Sequence, residues 1–389
     1  MEARSAPFFG TGPVSPRPAP RRLRPAWTQP GGGYEVELRT AHEVGADLAA
    51  WRALAERSVE PALFADPDVL LPALQHLPDG RQISLILVWQ PAAPARLLRG
   101  LFPVTMPRIP LAPGEVRLWR PTGFPVCAAL LDSERPAAVL AAVLSFCAAR
   151  GQRCAGLAAT ALAAEGPLAE SLRTAAAASR RRLERLSPRH DVATATAFLT
   201  DEWPSRDPQL RLTQARTPGQ VRDAVETFLV LDAAAAKARG TAALIQDAGT
   251  ASFIRTMTRQ LARRGRCRLD LLYRGAEPVA ASVVLESAET LWLWRAAGAP
   301  GLRHGADRIV AAAAARARRA GKRLMLCDGA PVSTEAAAAL ALKPLPLVDL
   351  LVSTRPGHSA GAAAIRLKTR IERRMRQAAA AGRDCLARA

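Results

Sequence analysis

Residues 293–320 read LWRAAGAPGLRHGADRIVAAAAARARRA, and this stretch decides how the rest of the chain is interpreted. It runs from an apolar segment through Gly298, Gly301 and Gly305 into an alanine-rich segment of helical composition. The pattern predicts a strand followed by a helix, joined by a turn with little side-chain cover. The first turn of a helix leaves backbone N–H groups unpaired, and the helix dipole adds partial positive charge there. The turn at Gly305 is therefore a candidate site for a diphosphate.

A purely structural interpretation of the same turn is also open. Gly301 and Gly305 could do no more than shape a left-handed turn, with Asp307 as a negative charge that stabilises the start of the helix. The carboxylate of Asp307 would also repel phosphate. Arg303 and Arg308 are the cations that the sequence offers to a diphosphate at this turn.

Three apolar runs before the turn predict a sheet. They are CRLDLLY at 267–273, VAASVVLE at 279–286 and TLWLWRA at 290–296, and Gly275 and Pro278 supply hairpin chemistry between the first two. In the third run the tryptophans point to one face and the leucines to the other. Both faces of that strand are apolar, so we expect it to be central in its sheet.

The same order of elements is predicted twice along the chain. Each half begins with a short strand, continues with two helices and three antiparallel strands, and then has a helix. In the first half we expect strands at 34–39, 83–89, 97–106 and 115–119 and helices at 47–57, 66–77 and 136–150. In the second half we expect strands near 210, at the three runs above, at 323–327 and at 345–352, and helices at 220–236, 250–264, 306–320 and 334–342. The pattern predicts a duplicated α/β domain of the α+β type, each copy a mixed, mostly antiparallel twisted sheet flanked by helices.

Composition predicts the domain boundaries. Residues 1–33 contain seven prolines and five arginines, which predicts a disordered tail. Residues 201–208 are polar with two prolines and are expected to be a linker. The N-terminal domain is then 34–200 and the C-terminal domain 209–356, and a basic helix and tail follow at 357–389.

Charge and cysteine usage restrict the class of protein. The 389 residues carry a formal net charge of +20, nearly all of it from arginine, and the abundance of alanine and proline suggests that part of this excess is background composition. The aromatic content is only 5%, so a base-stacking nucleic-acid surface is not expected. The six cysteines form no CxxC pair and the five histidines no HxxxH pair, so neither a metal site nor a disulfide framework is expected.

The expected location follows from the same features. The N-terminal region has no apolar segment typical of a secretory signal, and the longest largely apolar run, 137–149, is too short to span a bilayer. We therefore expect a reduced, cytoplasmic protein without a transmembrane segment. The positive charge also admits peripheral contact with a membrane surface.

Five segments of the second half carry a resemblance to a known family. They are FLVLDAAAAKARGTAA at 228–243, GAEPVAA at 275–281, TLWLWRAAG at 290–298, LRHGADRIV at 302–310 and LMLCDG at 324–329. Together they resemble the GNAT acyltransferases, in particular the cellulose-biosynthesis-type (CelD/BcsL-like) proteins. This branch is related to the Fem peptidyltransferases and commonly carries two GNAT-like domains.

Individual positions agree with the family pattern or depart from it. Lys237 and Gly305 match it, and Asp328 stands at the family's strand-ending aspartate. Ala236 replaces a tryptophan, His304 replaces a proline, and the family's Tyr-Lys element is missing after residue 330. The resemblance is that of a divergent member.

The resemblance implies transfer of an acetyl or other acyl group from acyl-CoA to an amine or hydroxyl of a small molecule or saccharide, in polysaccharide or cell-envelope metabolism. It needs no metal. The residues expected to hold the acyl-CoA diphosphate are Arg303, His304, Gly305, Ala306 and Arg308.

Acyl transfer to an amine or hydroxyl needs a base that takes the acceptor's proton. Asp328, at the end of a predicted strand, is the first candidate, and Asp232 and His304 follow. Lys237 is a candidate for holding an anionic acceptor. Each has a structural alternative: Asp328 begins an ordinary Asp-Gly turn, and a solvated lysine has no role in catalysis.

Two other functions remain open at this point. Arg180, Arg181, Arg182 and Arg185, with the basic C-terminal segment, could bind a polyanion on a degenerate GNAT scaffold without catalysis. The relation to the Fem proteins also admits an aminoacyl-tRNA donor.

Overall fold

The computed structural model describes eleven segments of the chain. They are residues 27–28, 33–60, 63–92, 95–107, 114–121, 123–150, 154–189, 192–195, 209–299, 305–329 and 332–354. The predicted linker, the basic C-terminal segment and all of the predicted tail except 27–28 and 33 lie outside these residues.

The described residues contain sixteen strands and eight α-helices. The strands are β1 (Trp27–Thr28), β2 (Glu35–Thr40), β3 (Ser84–Gln90), β4 (Leu97–Thr105), β5 (Gly114–Leu118), β6 (Leu130–Leu131), β7 (Cys154–Ala163), β8 (Leu183–Arg189), β9 (Val192–Ala195), β10 (Leu210–Ala215), β11 (Cys267–Arg274), β12 (Glu277–Glu286), β13 (Thr290–Gly298), β14 (Arg323–Gly329), β15 (Leu342–Pro344) and β16 (Leu347–Ser353). The helices are α1 (Leu48–Glu56), α2 (Pro67–His76), α3 (Pro136–Ala149), α4 (Pro167–Ala178), α5 (Pro218–Arg239), α6 (Ala248–Arg263), α7 (Gly305–Arg319) and α8 (Thr334–Ala339).

Two mixed sheets confirm the predicted fold class. The first has the order β1-β2-β3-β4-β5-β7-β16-β8, with β6 paired to β4, and the second has the order β10-β11-β12-β13-β14-β9-β15. Within each sheet one pair is parallel, β5 with β7 and β13 with β14, and the other pairs between described strands are antiparallel. The equivalent position of the parallel pair in each sheet agrees with a duplicated domain.

The two sheets exchange one strand. β9 follows the first half in sequence but pairs with β14 and β15 in the second sheet, whereas β16 pairs with β7 and β8 in the first. The expectation that the strand at 345–352 completes the second unit is therefore wrong. An apolar strand fits either sheet by its pattern alone, and here Val348, Leu350 and Val352 pack into the core of the first half. The boundaries at 34–200 and 209–356 stay a prediction. The sheets do not follow them, because β9 pairs in the second sheet and β16 in the first.

The alanine-rich stretch before residue 180 holds two elements that periodicity did not assign. These are the ten-residue strand β7 and helix α4. Alanine is apolar but small, so it gives little contrast between faces in either period. Pro167, at the first position of α4 where no N–H is needed, is the local signal that marks the helix.

Helix α5 shows how local sequence sets the element bounds. The side chain of Thr217 accepts a hydrogen bond from the backbone N–H of Gln220, and Pro218 occupies the first helical position. The helix ends at Gly240, whose φ of 65° is left-handed and costs glycine little. These signals extend the helix beyond the 220–236 predicted from periodicity.

The halves share one core. The largest apolar cluster joins Trp51 and Phe64 of the first half to Phe253, Trp292 and Trp294 of the second. Helices α1, α2, α5 and α6 lie in this layer between the sheets, and α2 packs against α6. Helices α3 and α4 cover the other face of the first sheet, and α7 and α8 that of the second. The two sheets are therefore held by a common interior.

Candidate functional site

The parallel pair β13 and β14 is interrupted near its carboxyl end. On β12, Val283 pairs with Arg295 and Val284 with Leu293, so Trp294 is an extra residue on β13. Pairing with β14 breaks at the same place. A bulge twists its strand and ends regular pairing. The two strands therefore lose regular pairing just before the chain turns into α7.

Helix α7 begins at Gly305, one residue before the predicted start at 306, and packs on the sheet face that carries Leu291 and Leu293. Asp307 is buried, and its Oδ1 accepts a hydrogen bond from the backbone N–H of Ser333 at 3.0 Å. This carboxylate links the start of α7 to the start of α8, a role that the sequence did not indicate. Arg308 is half-buried.

The remaining residues of the predicted diphosphate site are described in part or lie outside the described residues. Arg303 and His304 lie outside them, and Ala306 is described by its backbone in α7. Asp328 is the penultimate residue of β14, whose last residue pairs with Arg295 on β13. Because α7 follows the carboxyl end of β13, Gly305 and the backbone of Asp328 both lie toward the carboxyl ends of β13 and β14. Their roles stay a prediction.

Asp232 and Lys237 lie on α5 and differ in environment. Oδ2 of Asp232 accepts a hydrogen bond from the backbone N–H of Leu244 at 2.8 Å and so holds the turn after the helix. Lys237 is exposed in the last turn of α5. These contacts give Asp232 a structural role, whereas no described contact assigns a role to Lys237.

A cavity of about 990 Å³ lies between the two halves and was not predicted from the sequence. Its wall in the second half includes Trp292 on β13 and Met325 on β14, near the amino ends of those strands. Its wall in the first half includes Leu63, Cys127 and Glu60. The cavity therefore lies toward the opposite end of β13 and β14 from the predicted diphosphate site.

Glu60 is one of the titratable groups that line this cavity. Its Oε1 accepts a hydrogen bond from the backbone N–H of Leu168 at 2.8 Å, at the start of α4. Burial raises the pKa of the Glu60 carboxyl, and this hydrogen bond opposes the rise. Burial also raises the pKa of the nearby Cys127 thiol to about 12, with a further contribution from the charge of Glu60. Cys127 is therefore a thiol at neutral pH and a poor nucleophile.

The arginine cluster at 180–185 is partly engaged within the protein. Arg181 donates a hydrogen bond from Nη1 to the carbonyl oxygen of Thr354, and Arg182 lies 3.1 Å from a carboxylate oxygen of Glu184. Glu184 therefore offsets the charge of Arg182, and the bond to Thr354 holds Arg181 against the protein.

The described residues contain neither a metal cluster nor a helix that could span a membrane. In those segments no group of three or more His, Cys, Asp and Glu side chains is arranged to hold a metal ion. No helix described there has the length and apolarity needed to cross a membrane.

Comparison with known proteins identifies part of the chain. Residues 170–325 match the family model described as an acetyltransferase (GNAT) domain. The match runs from α4 to the middle of β14 and contains the β13–α7 turn. This segment therefore has the pattern of a GNAT acetyltransferase domain, while the cellulose-biosynthesis-type branch stays a prediction. None of the curated proteins matches the chain in sequence.

Several solved structures are similar to the chain to different degrees. The crystal structure of FemX has a TM-score of 0.52 at 9% identity, covering 78% of this chain and 95% of that one. A tandem GNAT protein from the clavulanic acid biosynthesis pathway has a TM-score of 0.40 at 16% identity, covering 83% and 100%. L-PGS from Bacillus licheniformis has a TM-score of 0.45 at 9% identity, covering 83% and 95%. At these identities the similarity concerns the fold alone.

Proposed function

We propose that the second half of the chain binds an acyl-CoA and transfers its acyl group to an amine or hydroxyl acceptor. The observation that supports this proposal is the bulge at Trp294, which interrupts the parallel pair β13 and β14 directly before α7 begins at Gly305. The GNAT match over 170–325 contains the bulge at Trp294 and all of α7, and it ends within β14 before Asp328.

The residues at the start of α7 fit a diphosphate. The sequence has glycine at 305 and alanine at 306, so neither residue adds a polar side chain that would pair with the amides of the first turn. The carboxylate of Asp307 is engaged by the N–H of Ser333, on the helix face that packs toward the sheet. Arg303 and Arg308 supply positive charge, which together with the helix dipole offsets the charge of Asp307.

Asp328 is the base that we propose for the acceptor's proton. Its backbone lies at the carboxyl end of β14, toward the same ends of the parallel strands as Gly305. When bound, acyl-CoA supplies the activated thioester, and the chain's own residues orient the donor, take up the acceptor's proton and exclude water. We expect Asp328→Asn to lower kcat with little change in acetyl-CoA affinity, whereas Gly305→Glu should lower the affinity.

Calorimetry tests the donor site. Acetyl-CoA titrated into the full chain should give saturable heat, and Gly305→Glu should weaken binding at least about tenfold because a carboxylate then faces the diphosphate. Ser133→Glu provides the matched control, since it adds the same charge before α3 in the first half. Unchanged affinity in Gly305→Glu would contradict the proposed site.

Two measurements distinguish the alternative functions: which donor is turned over, and how strongly binding depends on the salt concentration. If the donor were aminoacyl-tRNA, the alternative that the Fem resemblance admits, it would be turned over in an assay where acetyl-CoA is not. A polyanion-binding protein would bind heparin with an affinity that falls steeply with salt and is unchanged in Asp328→Asn.

A further inference from the structure

We propose that the cavity between the two halves binds a small molecule with an ammonium group, an apolar body and a hydrogen-bond acceptor. This site goes beyond the proposed function, because it lies near the amino ends of β13 and β14 whereas the diphosphate site lies toward their carboxyl ends. Its volume of about 990 Å³ lies at the upper end of the usual range for ligand pockets.

The apolar body and the acceptor follow from the wall in the second half. Trp292 is 7% exposed and packs edge-on against Phe64 with ring centroids 5.1 Å apart. Its indole N–H is buried and has no hydrogen-bond partner among the described residues. A buried donor without a partner is costly, and a ligand oxygen would remove that cost. Met325 and Leu63 extend the apolar surface beside it.

The arginines in the cavity wall are already paired, so they do not define an anion site. Arg266 binds the carboxylate of Asp66. Arg264 lies 3.1 Å from a carboxylate oxygen of Asp68. At the exposed rim, Arg323 lies 3.5 Å from a carboxylate oxygen of Glu289, as a more weakly held pair.

Three carboxylates in the wall have no cationic partner among the described residues. They are Glu56 and Glu165, which are exposed, and Glu60, which is half-buried. Glu60 also occupies the start of α4 through its bond to the N–H of Leu168, so that helix end is closed to an anion. Arg52 and Arg264 share the carboxylate of Asp68, which leaves one positive charge in excess against these three carboxylates. The unbalanced charge of the cavity is therefore still negative, and an ammonium group is the complementary ligand charge.

The burial of Glu60 also favours a cationic ligand. Desolvation disfavours its charged form and raises its pKa, while only one backbone N–H stabilises that form. A bound ammonium group would supply the opposite charge that the described surroundings lack. The carboxylate and the indole of Trp292 thus define two ends of a ligand with an amine and a carbonyl.

L-leucinamide is the simplest probe with these three features. It is titrated into the full chain labelled with ¹⁵N-tryptophan, and the indole signal of Trp292 is identified by its loss in Trp292→Phe. We expect a saturable downfield shift of that signal as the indole N–H gains an acceptor. N-acetyl-L-leucinamide, which lacks the charge, should bind at least about tenfold more weakly.

Glu60→Gln tests the charge in the protein, since the amide oxygen can still accept the N–H of Leu168. We expect it to weaken L-leucinamide at least about tenfold, and Glu226→Gln, at a carboxylate that pairs with Arg255 elsewhere, to leave it unchanged. No saturable shift, equal affinity for the acetylated probe or unchanged affinity in Glu60→Gln would each overturn the proposal. Because the acetyl-CoA titration is separate, failure here leaves the proposed function standing, and the reverse also holds.

Discussion

Helices α3 and α7 occupy equivalent places in the two halves, but they begin differently. Before α3, Arg135 has a left-handed φ of 54°, and Pro136 removes one backbone N–H. The carboxylate of Asp132 lies within 2.5 Å of Arg57 Nε and 3.2 Å of Arg99 Nη1. Helix α7 instead begins with glycine and alanine.

The difference shows that the same topology can lead into its helix in two different ways. In the first half, the region before the helix holds an ion-pair network that joins Asp132 and Glu134 to the arginines of neighbouring elements. A diphosphate there would meet two carboxylates. In the second half the helix begins at Gly305, and the carboxylate of Asp307 accepts a hydrogen bond from the backbone N–H of Ser333. We therefore expect a donor site in the second half only.

The largest effect should come from the aromatic contacts that join the halves. Phe253 lies 5.9 Å from Phe124 of the first half and 6.0 Å from Trp294 between ring centroids. We expect Phe253→Ala to lower the free energy of unfolding by about 4 kcal/mol. Urea unfolding followed by fluorescence and circular dichroism should still give a single transition, because the core is shared.

The control for Phe253→Ala is a substitution at an exposed apolar side chain. Val230→Ala, at a side chain that is 66% exposed, should change the free energy of unfolding by less than about 0.5 kcal/mol. Two separate transitions, of which Phe253→Ala shifts only one, would show that the halves are independent.

The ion-pair network before α3 should give the next largest effect. Asp132 is 1% exposed, and Arg99 is 7% exposed. We expect Asp132→Asn to lower the free energy of unfolding by about 3 kcal/mol, since the arginines would keep their charge in a buried place. Asp223→Asn, which breaks an exposed pair with Arg222, should have little effect in the same urea measurement. If Asp132→Asn and Asp223→Asn changed the free energy of unfolding equally, the network before α3 would stabilise the fold no more than an exposed ion pair does.

Glu60→Gln should give the smallest change in the free energy of unfolding, and the size of this change should depend on pH. The folded pKa of Glu60 is raised, so the folded protein binds the proton more tightly than the unfolded chain. That stabilisation is complete below the unfolded pKa and is lost as pH rises through the folded pKa. Relative to wild type, Glu60→Gln should therefore gain stability as pH rises from 4 to neutrality, measured by urea midpoints. A constant difference across this range would contradict the raised pKa.

The sequence predicted those parts of the fold whose residues contrast between faces. Trp292 and Trp294 face the shared core and Leu291 and Leu293 the opposite cluster, as alternation predicted. Strand β7 was missed because alanine contrasts little, and the exchange of β16 was missed because pairing partners are set by tertiary packing.

The candidate site was predictable to a smaller extent. The start of α7 at Gly305 followed from glycine and helix signals close together in the chain. The cavity joins Glu60 to Trp292 across more than two hundred residues, and no local spacing connects them. The bond from Ser333 to Asp307 likewise arises from packing of α8 beside α7.

The most direct test of the difference between the halves is the stoichiometry of acetyl-CoA binding to the full chain by calorimetry. We predict saturable heat with one molecule per chain, reduced at least about tenfold in affinity by Gly305→Glu and unaffected by Ser133→Glu. No heat, or two equivalent sites per chain, would contradict the account.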